Sequence, residues 1–349
     1  YLEKHFDFDT RQDLVNSDAP WSDEVWGQFA ELGLLALPFN ENKGGLGGSI
    51  SDCVAFAQSF GKHLVVAPFA HAIMFAGAAL DASDSALAGE WIEKLASGED
   101  LAAFAYEEGH GTSSPHMIAM VAEADGDGFV LNGEKRLVIA GGEADAVIVA
   151  ARVGAGGPVG LFLVPKGAEG MTAAGFKTID GRSAANIAFN AVAVSGEAVL
   201  SRDASEALER ILAKAIIVQA AEAVGAMEAL LRISGEYAQT RKQFGQPIAT
   251  FQSIAHRLAD MKIAYTKALS TLTYTTALAN SGAVGARDIS ILKAQVGKLG
   301  RELGESAVQI HGGLGLTDEL SVGHYHKRLL AYDAQLGDYT YHLRTIGQR

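Results

Sequence analysis

The stretch "TRKQFGQPIATFQSIAHRLADM", residues 240–261, decides how the C-terminal part of the chain is read. Arg241 and Lys242 precede a Gly245-Gln246-Pro247 turn that separates one helical segment from the next. Beyond the turn, Phe251, Ile254, Leu258, Met261, Tyr265, Ala268 and Leu272 alternate steps of three and four, which puts one apolar stripe on a long helix. Ile289, Leu292, Val296, Leu299, Leu303 and Ser306 repeat the pattern, with Gly282 in the break between the two segments. Long striped helices joined by short turns predict an antiparallel bundle of four or so helices over 205–349.

Working outward, residues 100–204 change period. Short runs such as "AVIVAARV" and "VGLFLVP" are separated by turn residues, so this part reads as a β-domain built from hairpins, barrel-like in outline. Asn132-Gly133 is the strongest local hairpin signal, because a type I′ turn needs positive φ at both central residues. Residues 1–99 return to helical spacing, with Trp26, Phe29, Leu32 and Leu35 three apart, interrupted by the glycine loop "NKGGLGGS". The predicted fold class is therefore α+β and multidomain: a helical domain over 1–99, a β-domain over 100–204 and a helical bundle over 205–349. A doubly wound parallel sheet would alternate strand and helix throughout, and this chain does not.

Bulk properties exclude several functions. With 349 residues the chain is long enough for more than one domain. A formal charge of −13 and a pI near 5.2 argue against a nucleic-acid partner. The single cysteine, Cys53, excludes an intrachain disulfide framework and a cysteine zinc cluster, and it reads as a small buried hydrophobe. No apolar run is long enough to span a membrane, and the first residues carry no basic-then-apolar leader, so a soluble protein of the cytoplasm is expected.

Neither glycine-rich loop is a dinucleotide fingerprint. "HGGLGL" (311–316) has the wrong spacing and follows a helix, and "GGLGG" (44–48) joins helices. P-loop, G-x-S-x-G and H-E-x-x-H motifs are missing. The ten histidines are scattered, with His324 and His326 pointing to different helix faces, so no metal site is expected. Arg241 at an inter-helix turn suits a pyrophosphate, which a guanidinium can grip through paired hydrogen bonds; the alternative is a solvated charge at a helix C-terminus. Gly312-Gly313 either lets backbone approach a ligand closely or is an ordinary helix cap.

The pair "RKQFGQPIATFQSIAHRLADM" and "QIHGGLGLTDE", at this spacing, resembles the two C-terminal signatures of the acyl-CoA dehydrogenase family. The resemblance extends over the whole chain, through "FAELGLLALPF" and "LNGEKRLVIAGGEADAVIVAAR", and it implies that the chain starts within the family's first or second helix. "TIDGRSAANIAF" and "VGHYHKRLLAYDAQLGD" look most like the small-subunit type associated with pimeloyl-CoA and steroid-side-chain acyl-CoA dehydrogenation. The family fold is a helical N-domain, a β-domain and a C-terminal four-helix bundle, in agreement with the reading above.

The resemblance implies noncovalent FAD and α,β-dehydrogenation of an acyl-CoA thioester, in which a carboxylate removes the α-proton and flavin N5 takes the β-hydride. Carried over by match, Arg241, Gln243, Phe244 and Gln252 contact the FAD of a neighbouring subunit, and Gln309, Gly312 and Gly313 its adenosine pyrophosphate half. Tyr106 stands where the family has a flavin-facing Thr before a Gly-x-Gly, here Gly109-His110-Gly111. Leu137-Val138-Ile139 replaces the family's Trp-x-Thr. The implied partners are acyl-CoA, further subunits in a homo-oligomer or heteromer, and an electron-transfer flavoprotein as electron acceptor.

The family's usual catalytic Glu falls on Leu336 or Gly337, and its alternative position on an earlier helix falls on Ala215, six residues from Glu209. Neither site holds an acid. Two readings follow: Asp338 serves as the base, its pKa raised by burial among Leu336, Tyr339 and Tyr341, or the chain is a catalytically silent subunit whose partner supplies the Glu. Asp333 is expected to be solvated or structural.

Overall fold

The computed structural model describes residues 1–18, 21–109 and 117–348. The chain forms two compact units. One comprises Leu14–Cys53 and Val66–Ala215, and the other Tyr1–Asp13, Val54–Val65 and Ile216–Arg349.

The first helices are α1 (Leu2–His5), α2 (Phe8–Asn16), α3 (Asp23–Glu31) and α4 (Ile50–Lys62). Ser22 opens α3 by accepting the Val25 amide at 3.2 Å. Trp26, Phe29 and Leu35 are buried as their spacing predicts, but α3 stops at Glu31 and Leu32 faces solvent, so the three-residue period outruns the helix. Next come α5 (Phe69–His71), a π-helical stretch (Ala72–Gly77), α6 (Ala78–Asp81) and α7 (Ala86–Ser97).

Eight strands follow: β1 (Ala102–Ala105), β2 (Val121–Asp125), β3 (Gly128–Ile139), β4 (Ala146–Val153), β5 (Val159–Pro165), β6 (Met171–Lys177), β7 (Ser183–Val194) and β8 (Val199–Ser201). They form one sheet in the order β6-β7-β3-β2-β4-β5-β8, with β1 also on β4. β1 and β2 both pair with β4 in parallel, so hairpins alone do not build it. The expected turn at Asn132-Gly133 is absent. β3 runs straight through that pair with a bulge, and the β2–β3 turn lies at Asp125–Gly128, where Gly126 has φ +60°. The Asn132 carboxamide instead accepts the Ala191 amide from neighbouring β7 at 2.8 Å, so the sheet claims the residue that local propensity assigns to a turn.

The helical unit is built from the later turns of α4 and α8 (Ser205–Thr240), the short hairpin β9 (Lys242–Gln243) and β10 (Gln246–Pro247), and α9 (Gln252–Asn280). It is completed by α10 (Ala286–His311), α11 (Ser321–Ala334) and α12 (Tyr339–Gly347), and α10 packs on α9, α11 and α12. Met261, Ala268, Leu272, Ile289, Leu292, Val296 and Leu303 from the two predicted stripes are buried. α4 and α8 cross at glycines: a Cβ on Gly61 would lie 1.8 Å from the Glu222 carbonyl oxygen, and one on Gly225 2.0 Å from that of Gln58. Buried charge ties α11 in, with Arg328 donating to the Val65 carbonyl at 3.0 Å and lying 3.8 Å from the Glu222 carboxylate.

Candidate cofactor groove and base position

Helix α8 ends at Thr240, and the chain reverses through the β9–β10 hairpin. Its two central residues, Phe244 and Gly245, have φ of +52° and +81°, the signs a type I′ turn demands. Glycine adopts this freely, whereas phenylalanine does so at a cost, and the Phe244 ring is left 92% exposed. Backbone hydrogen bonds from Arg241 to the Tyr237 carbonyl (2.8 Å) and from Ile248 to the Arg241 carbonyl (2.9 Å) fix the hairpin to the end of α8.

Helix α10 ends opposite this hairpin. Gly312 closes it at φ +62° and ψ −139°, a conformation reserved for glycine. A Cβ on Gly312 or Gly313 would meet nothing within 4 Å, so the space above this backbone is open. The two elements line one groove enclosing about 1380 Å³ of empty space, open to solvent. Arg241, Gln243, Phe244, Gly312 and Gly313 all line it, so five residues singled out in two separate motifs meet. Gln252 and Gln309 are exposed on α9 and α10 without lining the groove.

Sequence reasoning missed the groove's aromatic floor. Tyr237 and His311 stack with centroids 4.3 Å apart and planes 25° from parallel, and Phe251 meets Phe244 edge-on at 6.0 Å. His311 Nδ1 lies 2.9 Å from the Ala307 carbonyl, which only accepts, so Nδ1 carries the proton. Burial pulls this imidazole below its ordinary pKa, which keeps it neutral near pH 7. Spacing could have found Tyr237, which sits four residues before Arg241 and so one turn beneath it. Among the lining residues Arg241 brings a full positive charge, and none is an Asp or Glu. An exposed guanidinium, open glycine backbone and an aromatic floor free of acids suit an anionic ligand with a flat ring.

The turn between α11 and α12 is a different environment. Leu336 and Gly337 have φ of +53° and +88°, and Leu336 is buried. His342 Nε2 lies 2.9 Å from the Leu336 carbonyl and donates to it, and burial holds this imidazole down at about 4. Asp338 is exposed, not buried among Leu336, Tyr339 and Tyr341 as expected. Its carboxylate N-caps α12 by accepting the Tyr341 amide at 2.7 Å. The cap requirement places it at the surface end of the helix, so the burial invoked to raise its pKa is not there. Asp333 is the buried acid of the pair and is structural: one oxygen accepts from Arg301 at 2.9 Å and the other from the Tyr339 amide at 2.9 Å. Ala215, where the alternative base position is expected, is fully buried.

Tyr106 belongs to the other unit. It is buried at the end of β1, stacked on Phe104 with centroids 6.2 Å apart, while its carbonyl accepts from Lys135, whose ammonium pairs with Glu108 at 2.6 Å. In the same unit Leu137, in the segment that departs from the expected Trp-x-Thr, takes φ +51° at a bulge in β3 and donates its amide to Asn186 at 3.2 Å.

Family models of the acyl-CoA dehydrogenase N-terminal, middle and C-terminal domains match residues 9–99, 103–192 and 207–349, in that order. The chain belongs to the acyl-CoA dehydrogenase family. It is 27% identical over 348 residues to acyl-CoA dehydrogenase FadE27 of Mycobacterium tuberculosis, covering 97% of this chain and 91% of that protein. The ChsE4–ChsE5 complex from Mycobacterium tuberculosis contains a chain with TM-score 0.90 and 26% identity, covering 99% of this chain and 93% of that one. Butyryl-CoA dehydrogenase from Megasphaera elsdenii shares the fold at TM-score 0.85 and 24% identity, over 94% of this chain and 90% of that one. No helix among the described residues is long and apolar enough to cross a membrane.

Proposed function

We propose that this chain is one component of a flavin-dependent acyl-CoA dehydrogenase. It contributes FAD and acyl-CoA contacts, and a partner chain supplies the carboxylate that removes the substrate α-proton. The observation that carries this reading is the occupant of the base position: a buried Leu336 in a left-handed turn, with the nearby Asp338 carboxylate turned to solvent and engaged in capping α12. A general base must reach the proton it takes, and neither Leu336 nor Gly337 can accept one. The competing reading, with Asp338 as base, requires that carboxylate to leave its cap and enter a site while keeping the reach of a residue one methylene longer.

FAD supplies the hydride acceptor when bound, and the groove fits its adenosine pyrophosphate half. Arg241 would pair with the pyrophosphate, the open backbone at Gly312 and Gly313 would approach it, Phe244 and the Tyr237–His311 stack would offer ring faces, and Gln243 would donate a hydrogen bond, while Gln252 and Gln309, exposed outside the groove, would reach other parts of the cofactor. Tyr106 takes the flavin-facing position in the β-domain. A groove this open to solvent calls for a second copy or a partner subunit to cover the ligand, in keeping with the two-component neighbour ChsE4–ChsE5. Domains over 1–99, 100–204 and 205–349, a cytoplasmic setting and an electron-transfer flavoprotein as acceptor complete the proposal.

The test is to purify the chain alone and together with the product of an adjacent gene, and to record flavin spectra and bleaching by acyl-CoA. Activity only in the pair supports the proposal. Bleaching by the lone chain that disappears in Asp338→Asn overturns it in favour of Asp338 as base.

A further inference from the structure

A second cavity lies in the β-containing unit, with about 710 Å³ of empty space, part of it open to solvent, and none of the residues assigned above lines it. Its floor is apolar and buried: Phe39, Met74 and Ile211 all line it. Two features show how the floor is made. Met74 comes from the π-helical stretch Ala72–Gly77, a rare geometry that recurs at functional sites because it shifts side chains out of α-helical register. Gly77 makes room for Phe39, since a Cβ there would come within 2.5 Å of the ring.

The mouth is basic. Arg210 and Lys214, one turn apart on α8, both line the cavity and are exposed. Arg210 is paired with Glu206, while Lys214 forms no hydrogen bond or ion pair among the described residues. The acid at the rim, Asp81, is already engaged, accepting from the Asn40 carboxamide at 2.9 Å and 2.8 Å and from the Asn40 amide at 3.3 Å. Of the charged residues that line the cavity two are cations and one is an acid, so the mouth carries more positive than negative charge.

We propose that this cavity is a separate ligand site for an apolar chain ending in a carboxylate. The chain lies on Phe39, Met74 and Ile211, and the carboxylate meets Lys214, with Arg210 beside it. The full-length chain is titrated with decanoate below its micelle concentration, by calorimetry and by the chemical shifts of the Met74 methyl group. The expected result is one decanoate per chain at this site, weakened about fivefold in Lys214→Gln and lost in Ala78→Phe, which fills the cavity. Decyltrimethylammonium, with the same chain and opposite charge, is expected not to bind. Decanoate binding that either substitution leaves unchanged, equal binding of the cation, or a Met74 methyl that does not respond would overturn the assignment. Lys214 is exposed, so its variant folds whether or not Ala78→Phe does.

Discussion

Two parts of the helical unit carry opposite chemistry. The groove between the β9–β10 hairpin and the end of α10 retains what an anionic, ring-bearing ligand needs: an exposed cation, glycine backbone with nothing above it, and aromatic faces. The turn between α11 and α12 offers none of these. Leu336 and Gly337 hold a left-handed turn fixed by His342 below and the Asp338 cap beyond, and neither side chain can accept a proton. The lesson is that two turns of one helical unit, each with left-handed backbone, can present opposite chemistry, one open and cationic and the other closed by a buried leucine.

The sharpest way to break the comparison is to attack the support of the turn. Asp333→Ala leaves the Tyr339 amide without its acceptor and releases Arg301. Removing a buried carboxylate that holds both a half-exposed guanidinium and a backbone amide is expected to cost about 3 kcal/mol in denaturant unfolding, less the part Arg301 recovers by reaching water. A cost below about 1 kcal/mol would show that the turn stands without it.

Acid should act next. His342 is neutral in the fold, with its pKa depressed to about 4 from an unfolded value near 6.5, chiefly by burial. A depressed folded pKa means the stability is fully present above about pH 6.5 and is lost as pH falls toward 4, amounting to about 2 kcal/mol by pH 5. Urea unfolding of the native chain between pH 7 and 5 should show this slope, and His342→Gln should flatten it. An unchanged slope would assign the acid sensitivity to other groups.

The groove should respond in binding and not in stability. Arg241→Gln is expected to weaken FAD retention about tenfold, the worth of a charge-assisted hydrogen bond, with no change in the unfolding midpoint. Equilibrium dialysis of flavin against the purified complex reads the first, and a thermal melt without flavin the second. Equal loss of stability would make Arg241 a structural residue and remove the contrast between the two regions.

The smallest effect belongs to Asp338. As an exposed N-cap, its replacement in Asp338→Ala should cost about 1 kcal/mol. Asp338→Asn keeps the cap and should be nearly neutral in both stability and acyl-CoA bleaching. Selective loss of bleaching in the Asn variant would return Asp338 to catalysis.

The residues that were legible in sequence are those whose role is local or repeated. The stripes on α9 and α10 follow from a 3.6-residue period, and the groove residues from two motifs whose spacing brings them together. The Asn132-Gly133 turn, the extension of α3 through Leu32 and the burial of Asp338 were misread for one reason: each was judged from local propensity, and a neighbouring strand, a helix end or a capping need overrode it.

By itself the sequence determined the order helical, β, helical, the amphipathic faces of the bundle, the family and the apolar or glycine character of positions 215, 336 and 337, because all of these are written in period and residue identity. Only the tertiary structure decided that Tyr237 and His311 floor the groove, that Asp333 and not Asp338 is the buried acid, and that Leu336 sits in a left-handed turn. Those facts depend on which distant backbone and charged groups are brought within hydrogen-bonding or stacking distance, and periodicity along one chain carries no record of that.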